Sequence, residues 1–183
     1  MKIAVPAEAD KLETRVAATP ETVKKFKGLG AEVSVQAGAG AASRIPDADY
    51  AAAGATVADA RETVRDADII LKVRRPDASE MQAYKPGAIV VAIMDPYGND
   101  SALKALADAK LAAFAMELMP RITRAQSMDV LSSQANLAGY QAVIDAADNY
   151  DRALPMMMTA AGTVPAARVF VMGAGVAGLQ AIA

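Results

Sequence analysis

No residue of this chain is a cysteine, a histidine or a tryptophan. Without cysteine there are no disulfides, no thiolate nucleophile and no cysteine-based zinc site. Without histidine the commonest general base and the commonest transition-metal ligand are missing too. Any chemistry runs without imidazole or borrows one from elsewhere, and no metal site is expected. Aromatic residues make up only 4% of the 183, so the core must be built from Val, Ile, Leu and Met. The apolar fraction of 54% is inflated by alanine, roughly a quarter of the chain. The net charge of −2 comes from both signs scattered along the sequence. No basic stripe is present, so nucleic acid is a poor choice of partner. No apolar run reaches the roughly 18 residues of a membrane helix. The opening MKIAVPAEAD lacks a cationic region followed by an apolar core, so no signal peptide is read there. The expectation is a soluble, cytoplasmic protein without direct membrane insertion.

What is present alternates between strand and helix patterns. Lys2 to Val5 reads as a short strand. ATPETVKKFKGLG carries a helix with Thr19 as N-cap, Pro20 at the first position, Glu21 at the positive end of the dipole, and Gly28 or Gly30 as the stop. AEVSVQAG alternates like a strand, PDADYAAAG is a short helix, and Asp59 to Asp66 is another. ADIILKV, KPGAIVVAIM and KLAAFAM are apolar runs of strand length, with a helix from Ser101 to Ala109 between the last two. Such runs suit a buried parallel sheet. Ser127 to Asn149 reads as one long helix, with Met128, Leu131, Ala135, Ala138, Val143 and Ala146 facing inwards. LPMMMTAAGTV then reads as a hairpin. The pattern predicts an α/β fold: a Rossmann-like or flavodoxin-like parallel sheet lobe, a long helix, and the start of a second Rossmann lobe. The expected divisions are an N-terminal lobe over residues 1–120, a cleft loop and bridging helix over 121–150, and a hairpin arm with an incomplete lobe over 151–183.

The last residues, ARVFVMGAGVAGLQAIA, carry the clearest motif. Arg168 to Met172 reads as a buried strand, and Gly173, Gly175 and Gly178 follow at G-x-G-x-x-G spacing before a helix from Val176. The glycines would allow a tight turn, close approach of a pyrophosphate and close helix packing, with helix N–H groups as donors. The plainer alternative is a structural turn without a ligand. The acidic residue expected about 20 positions later falls outside these residues.

Other candidates are weaker. RITRAQSMD is polar and precedes the long helix. On composition alone it reads as a solvated loop whose Ser127 or Asp129 caps the helix, although Arg121, Gln126 and Asp129 in convergence would suit a ligand. Lys72 ends an apolar strand, where α/β ligands usually sit. Arg15 lies in the loop after the first strand. For each the choice is between an anion clamp and a surface charge. PMMM is either core packing or an exposed arm.

Taken together, ETRVAATPETVKKFKGLGAEVSVQAGAG, PRITRAQSMDVLSSQANLAGYQAVIDAA and MMMTAAGTVPAARVFVMGAGVAGLQAIA resemble the family of alanine dehydrogenase and the NAD(H)-binding component of proton-translocating nicotinamide nucleotide transhydrogenase. The resemblance runs along the whole chain, and RITRAQSMD is specific for the transhydrogenase branch. It implies a two-lobed homodimer with NAD(H) in the cleft. Reversible hydride transfer to NADP(H) on a partner component, of the Si-specific type, is coupled there to proton movement through a membrane-spanning component. Localisation would be cytoplasmic, peripheral to the inner membrane through partner subunits. By motif, Arg121, Arg124, Gln126, Asp129 and Ser132 become cofactor-binding residues, with Gln126 in the catalytic role. Gly173, Gly175, Val176 and Gly178 become the pyrophosphate turn, and Met156 to Val164 an arm to the partner subunit. The resemblance also implies that the chain is an N-terminal portion, with little activity by itself. Two alternatives stay open: an alanine dehydrogenase-like oxidoreductase and a non-catalytic assembly module. Arg15 and Lys72 match that dehydrogenase's substrate-holding pair. Its catalytic histidine would fall near Met94, Asp95 and Pro96.

Overall fold

The apolar runs become parallel strands because each is too short for a helix; the runs around Ile70 and Val90 bury much of their length, whereas KLAAFAM, expected to be buried, forms an exposed edge strand with Phe114 58% exposed. The computed structural model describes residues 1–183. In chain order the elements are β1 (Lys2–Val5), α1 (Pro20–Gly28), β2 (Glu32–Gln36), α2 (Asp47–Ala52), β3 (Thr56–Ala58), α3 (Ala60–Val64), β4 (Ile69–Arg74), α4 (Ala78–Met81), β5 (Ile89–Ile93), α5 (Asp100–Asp108), β6 (Ala112–Ala115), α6 (Val130–Asp148), β7 (Met157–Thr159), β8 (Gly162–Val164) and α7 (Val176–Ile182). Two compact units result, Met1–Met119 and Pro120–Ala183.

In the first unit six strands form one parallel sheet in the order β3-β2-β1-β4-β5-β6. This is the doubly wound Rossmann order rather than the flavodoxin one, and its topological switch lies between β1 and β4. The pleat sends neighbouring residues to opposite faces. Ala4 of β1 joins Ile70, Val90, Ala92, Met81 and Leu106 on one side. Val5 joins Val23, Val33, Val35 and Tyr50 on the other. Each fully buried Val, Ile, Leu or Met side chain contributes about 1.5–3 kcal/mol. Tyr50 also donates its hydroxyl to the carbonyl of Ala18 at 2.9 Å.

Helix α1 follows its sequence signals closely. Thr19 accepts a hydrogen bond from the Thr22 amide at 3.3 Å, Pro20 opens the helix, and Val23 is its buried residue. Glu21 pairs with Lys25 at 2.8 Å. Gly30 just beyond the end has φ +83, which a side chain would strain.

Two short elements carry no run long enough to read from periodicity. β3 has three residues and α4 four. α4 is nonetheless well capped. Asp77 accepts from the Ser79 and Glu80 amides, and the Glu80 side chain returns to the Asp77 amide, a complete capping box.

The second unit departs from expectation in three places. α6 starts at Val130 rather than Ser127, because Thr123–Met128 forms a 3-10 turn and Asp129 takes the cap. Its expected inward face is not buried: Met128 is 46% and Leu131 41% exposed, Ala138 and Ala146 are exposed, and Ala135 and Val143 are half-buried. Apolar residues lie all round this helix instead of along one stripe, and Gly139 is its one buried residue. Arg168 to Met172 is not a buried strand. The segment is irregular, and Val169, Phe170 and Met172 are exposed. A strand exists only in a ladder, and no strand of the structure pairs with this one. The hairpin does form, with β7 antiparallel to β8. Its methionines are exposed, Met158 at 82%, so core packing is the wrong reading of PMMM.

Candidate functional site

The polar loop and the first turn of α6 together line one concavity, the candidate site. Asp129 anchors it. One carboxylate oxygen accepts from the Ser132 amide at 3.0 Å, and the other accepts from the Ser132 hydroxyl at 2.6 Å. The Ser133 hydroxyl donates to the Asp129 carbonyl at 2.9 Å. The bonds from Ser132, with a smaller contribution from the positive charge of Arg121, hold the Asp129 carboxyl below the usual carboxylate range. Asp129 therefore stays ionised and faces the helix N-terminus, where the dipole favours it.

Around it lies a small concavity of about 310 Å³ lined by Pro120, Arg121, Gln126, Asp129, Ser132 and Ser133. Four of the predicted site residues, Arg121, Gln126, Asp129 and Ser132, thus share one surface. Arg124 sits exposed on the 3-10 turn and is not part of that lining. The turn itself explains the convergence. Ala125 is buried, and its amide donates to the Ile122 carbonyl at 2.9 Å, which leaves its polar neighbours to face outwards.

The glycine turn shows three glycines with three different reasons. Gly173 has φ +112, a conformation that side chains rarely adopt. At Gly178 an added Cβ would lie 2.0 Å from the Gly173 carbonyl oxygen, so α7 packs directly on the turn. At Gly175, the N-cap of α7, φ is −81 and an added Cβ would meet nothing within 4 Å. The protein itself does not demand glycine there, and the space is open to a close-approaching ligand. Val176 is the first residue of α7.

Lys72 and Arg15 lie in the first unit. Lys72 is neither an open clamp nor a surface charge. It is buried at 4% exposure, paired with Glu80 and 3.7 Å from Glu8. Glu8 in turn accepts from the Val73 amide at 2.7 Å and the Arg74 amide at 3.2 Å. Arg15 pairs with Glu13 at 2.6 Å, and Arg74 reaches the same carboxylate at 3.0 Å. The Arg15 guanidinium is the main cause that brings Glu13 down to about 2.

At the end of β5, Asp95 takes φ +46. Glu117 accepts from the Met94 and Asp95 amides, Arg75 donates to the Met94 and Asp95 carbonyls, and Asn99 donates to the Asp95 carbonyl at 2.9 Å. A wider cavity of about 670 Å³ in this unit, lined by residues such as Pro6, Gln36, Arg61 and Tyr84, contains none of the predicted site residues.

Sequence reasoning missed Gly139. An added Cβ there would lie 2.1 Å from the Ala177 carbonyl oxygen. A lone glycine inside a helical pattern was the available signal.

Fold and site together define a class: a doubly wound parallel sheet, followed by a helical unit with a dinucleotide-type glycine turn. The chain belongs to the alanine dehydrogenase/PNT family. The family's N-terminal domain matches residues 4–138 and its C-terminal domain residues 142–183. It is 54% identical to an NAD(P) transhydrogenase subunit alpha, first of its parts, from Rhodospirillum rubrum, over all of this chain and 49% of that one. It is 48% identical to the protein of the same name from Rickettsia prowazekii, with the same shares covered. An alanine dehydrogenase of Halomonas elongata is less similar, at 35% identity over 99% of this chain and 49% of that one. A crystal structure of transhydrogenase from Sinorhizobium meliloti superposes with a TM-score of 0.96 at 68% identity, covering all of this chain and 55% of that one. The chain therefore spans about half the length of these relatives.

Proposed function

We propose that this chain supplies the nicotinamide-side loop and the pyrophosphate turn of an NAD(H) site in a proton-translocating transhydrogenase. The single observation that carries the reading is the pairing, in one unit, of the Arg121–Gln126–Asp129–Ser132 surface with a glycine turn that is open at Gly175 and closed at Gly178. The relatives that bear the transhydrogenase name support it. The donor set fits the ligand. Backbone around Gly175 would hold the pyrophosphate, and the serine and carboxylate would hold ribose hydroxyls. The Gln126 amide, donor on one side and acceptor on the other, would lie at the junction with a second nicotinamide.

Hydride transfer between two nicotinamides needs no protein acid or base, only juxtaposed rings and excluded water. A chain without histidine suits that chemistry. In this reading NADP(H) sits on a partner component, transfer is Si-specific and coupled to proton translocation, and the hairpin serves a homodimer. Membrane association is peripheral, through partner subunits; no helix here is long and apolar enough to cross a membrane. The 183 residues by themselves bind NAD(H) weakly, since Arg168 to Met172 has no strand neighbour.

The test is calorimetry of NADH on the protein at the length of its relatives, with alanine-dependent NADH formation measured alongside. Tight binding without alanine turnover is expected. Absence of binding would leave an assembly module, and clear alanine turnover would favour a dehydrogenase.

A further inference from the structure

α6 touches both halves of the proposed site. Its first turn carries Ser132, and Asp129 caps it. Ten residues on, about 15 Å of helical rise, Gly139 lies against α7. A Cβ there would be 2.1 Å from the Ala177 oxygen, 2.9 Å from its carbonyl carbon and 3.0 Å from its Cα. Ala177 is the second residue of α7, between Gly175 and Gly178 of the glycine motif. On the same interface the Asn136 side-chain amide donates to Gln180 Oε1 at 2.8 Å. The pairs 139–177 and 136–180 run in opposite directions, so the two helices are roughly antiparallel. The start of α7, with its glycines, lies away from Asp129. Glycine in a helix interior is costly relative to alanine, so α6 does not gain from Gly139 by itself. What the missing methyl group permits is backbone contact between the helices.

We propose that Gly139, supported by Asn136, is a positioning residue of the NAD(H) site. It sets the distance between the pyrophosphate turn on α7 and the nicotinamide-side loop at the head of α6. Neither residue touches the ligand. The inference rests on the NAD(H) reading above. A bulkier residue at 139 pushes α7 and its glycine turn outwards by more than an ångström while leaving each half intact. A ligand that bridges both halves then suffers, and a ligand that uses only the pyrophosphate side does not.

NADH bridges both halves; adenosine diphosphate reaches only the pyrophosphate side. Both are titrated by calorimetry into wild type, Gly139→Ala and Asn136→Ala at the length of the relatives. Wild type is expected to bind both. Gly139→Ala is expected to weaken NADH at least about tenfold and adenosine diphosphate less than about threefold, since an ångström of misplacement is costly to a bridging geometry. Asn136→Ala introduces no clash and keeps the test alive if the glycine variant fails to fold; about a threefold loss confined to NADH is expected. Parallel losses of both ligands mean a general structural defect and overturn the proposal, as does unchanged NADH affinity in both variants. Failure of wild type to bind NADH overturns the NAD(H) reading itself, and this inference with it.

Discussion

The α-carbon of Gly178 faces the carbonyl oxygen of Gly173 so closely that a methyl group on it would lie 2.0 Å away. The third glycine of the motif is therefore required by the protein, whereas the second, Gly175, has open space around it. Their substitutions should separate. Gly178→Ala is expected to destabilise the second unit by about 1–3 kcal/mol and to abolish NADH binding. Gly175→Ala should leave the thermal unfolding curve within about 0.5 kcal/mol of wild type yet weaken NADH binding. Circular dichroism melts with parallel calorimetry check both. NADH affinity unchanged in Gly175→Ala would remove that residue from the site.

Gln126 shares the concavity with Arg121 and Asp129, and the proposed function places it at the junction between nicotinamides. Shortening it to asparagine withdraws the amide by one methylene and keeps its chemistry. Gln126→Asn in the assembled enzyme should slow hydride transfer at least about tenfold while shifting the NADH dissociation constant less than about threefold. Stopped-flow transfer rates set against equilibrium titration make the comparison. Equal transfer rates would exclude the role.

Lys72 is buried between two carboxylates. Removing one member of a buried ion pair costs about 3–5 kcal/mol, because the remaining charge is left uncompensated. Lys72→Met should fall in that range by urea denaturation. Adding Glu80→Gln should recover some of the loss, since Glu8 keeps its bonds from the Val73 and Arg74 amides. A Lys72→Met variant as stable as wild type would mean that the cluster contributes little.

Glu13 is held at about 2, chiefly by its hydrogen bonds from Arg15, against an ordinary value of 4.5. A carboxyl lowered by folding stabilises fully above its unfolded value and loses that stabilisation as pH falls through the folded one. The window is therefore about pH 4.5 down to about 2. The arginine side chains are 36% and 56% exposed, so solvent screening leaves on the order of 1 kcal/mol. Glu13→Gln should be less stable than wild type by that amount at pH 7, and the two should converge near pH 2. A constant gap across the range would assign the effect to packing rather than charge.

Hydrogen exchange should divide the 183-residue chain. Strands β1, β4 and β5 are central and buried, so their amides should exchange slowly. Arg168 to Met172, outside any ladder and largely exposed, should exchange within seconds to minutes. Slow exchange from Arg168 through Met172 would mean that this segment is paired in solution, for example with another copy.

Most of the first unit was legible because its signals are local. Thr19, Pro20 and Glu21 mark a helix start whatever surrounds them. IILKV and IVVAI are apolar runs of strand length beside turns, which favours strands over buried helices. The three-residue β3 lacked a readable run. The four-residue α4 is too short for periodicity, and its only local signal is the D-x-x-E box of Asp77 and Glu80. In the second unit the glycine spacing and the polar stretch were legible as motifs, while the division of labour among the glycines was not.

Local chemistry therefore determined the caps, the strand and helix types and the α/β class, and it marked the glycine spacing and the polar loop; the resemblance to the family, not composition, singled out the candidate site residues. Tertiary structure decided what depends on partners distant in sequence. Lys72 meets Glu8 from the loop after β1, so a clamp or surface charge became a buried ion pair. Arg168 to Met172 has strand composition but no neighbouring strand, and backbone groups without a ladder do not make a sheet. Gly139 looks like a flaw in a helix until Ala177 is packed against it. In each case the deciding energy, Coulombic, hydrogen-bonding or steric, belongs to a pair of residues, and only folding brings the pair together.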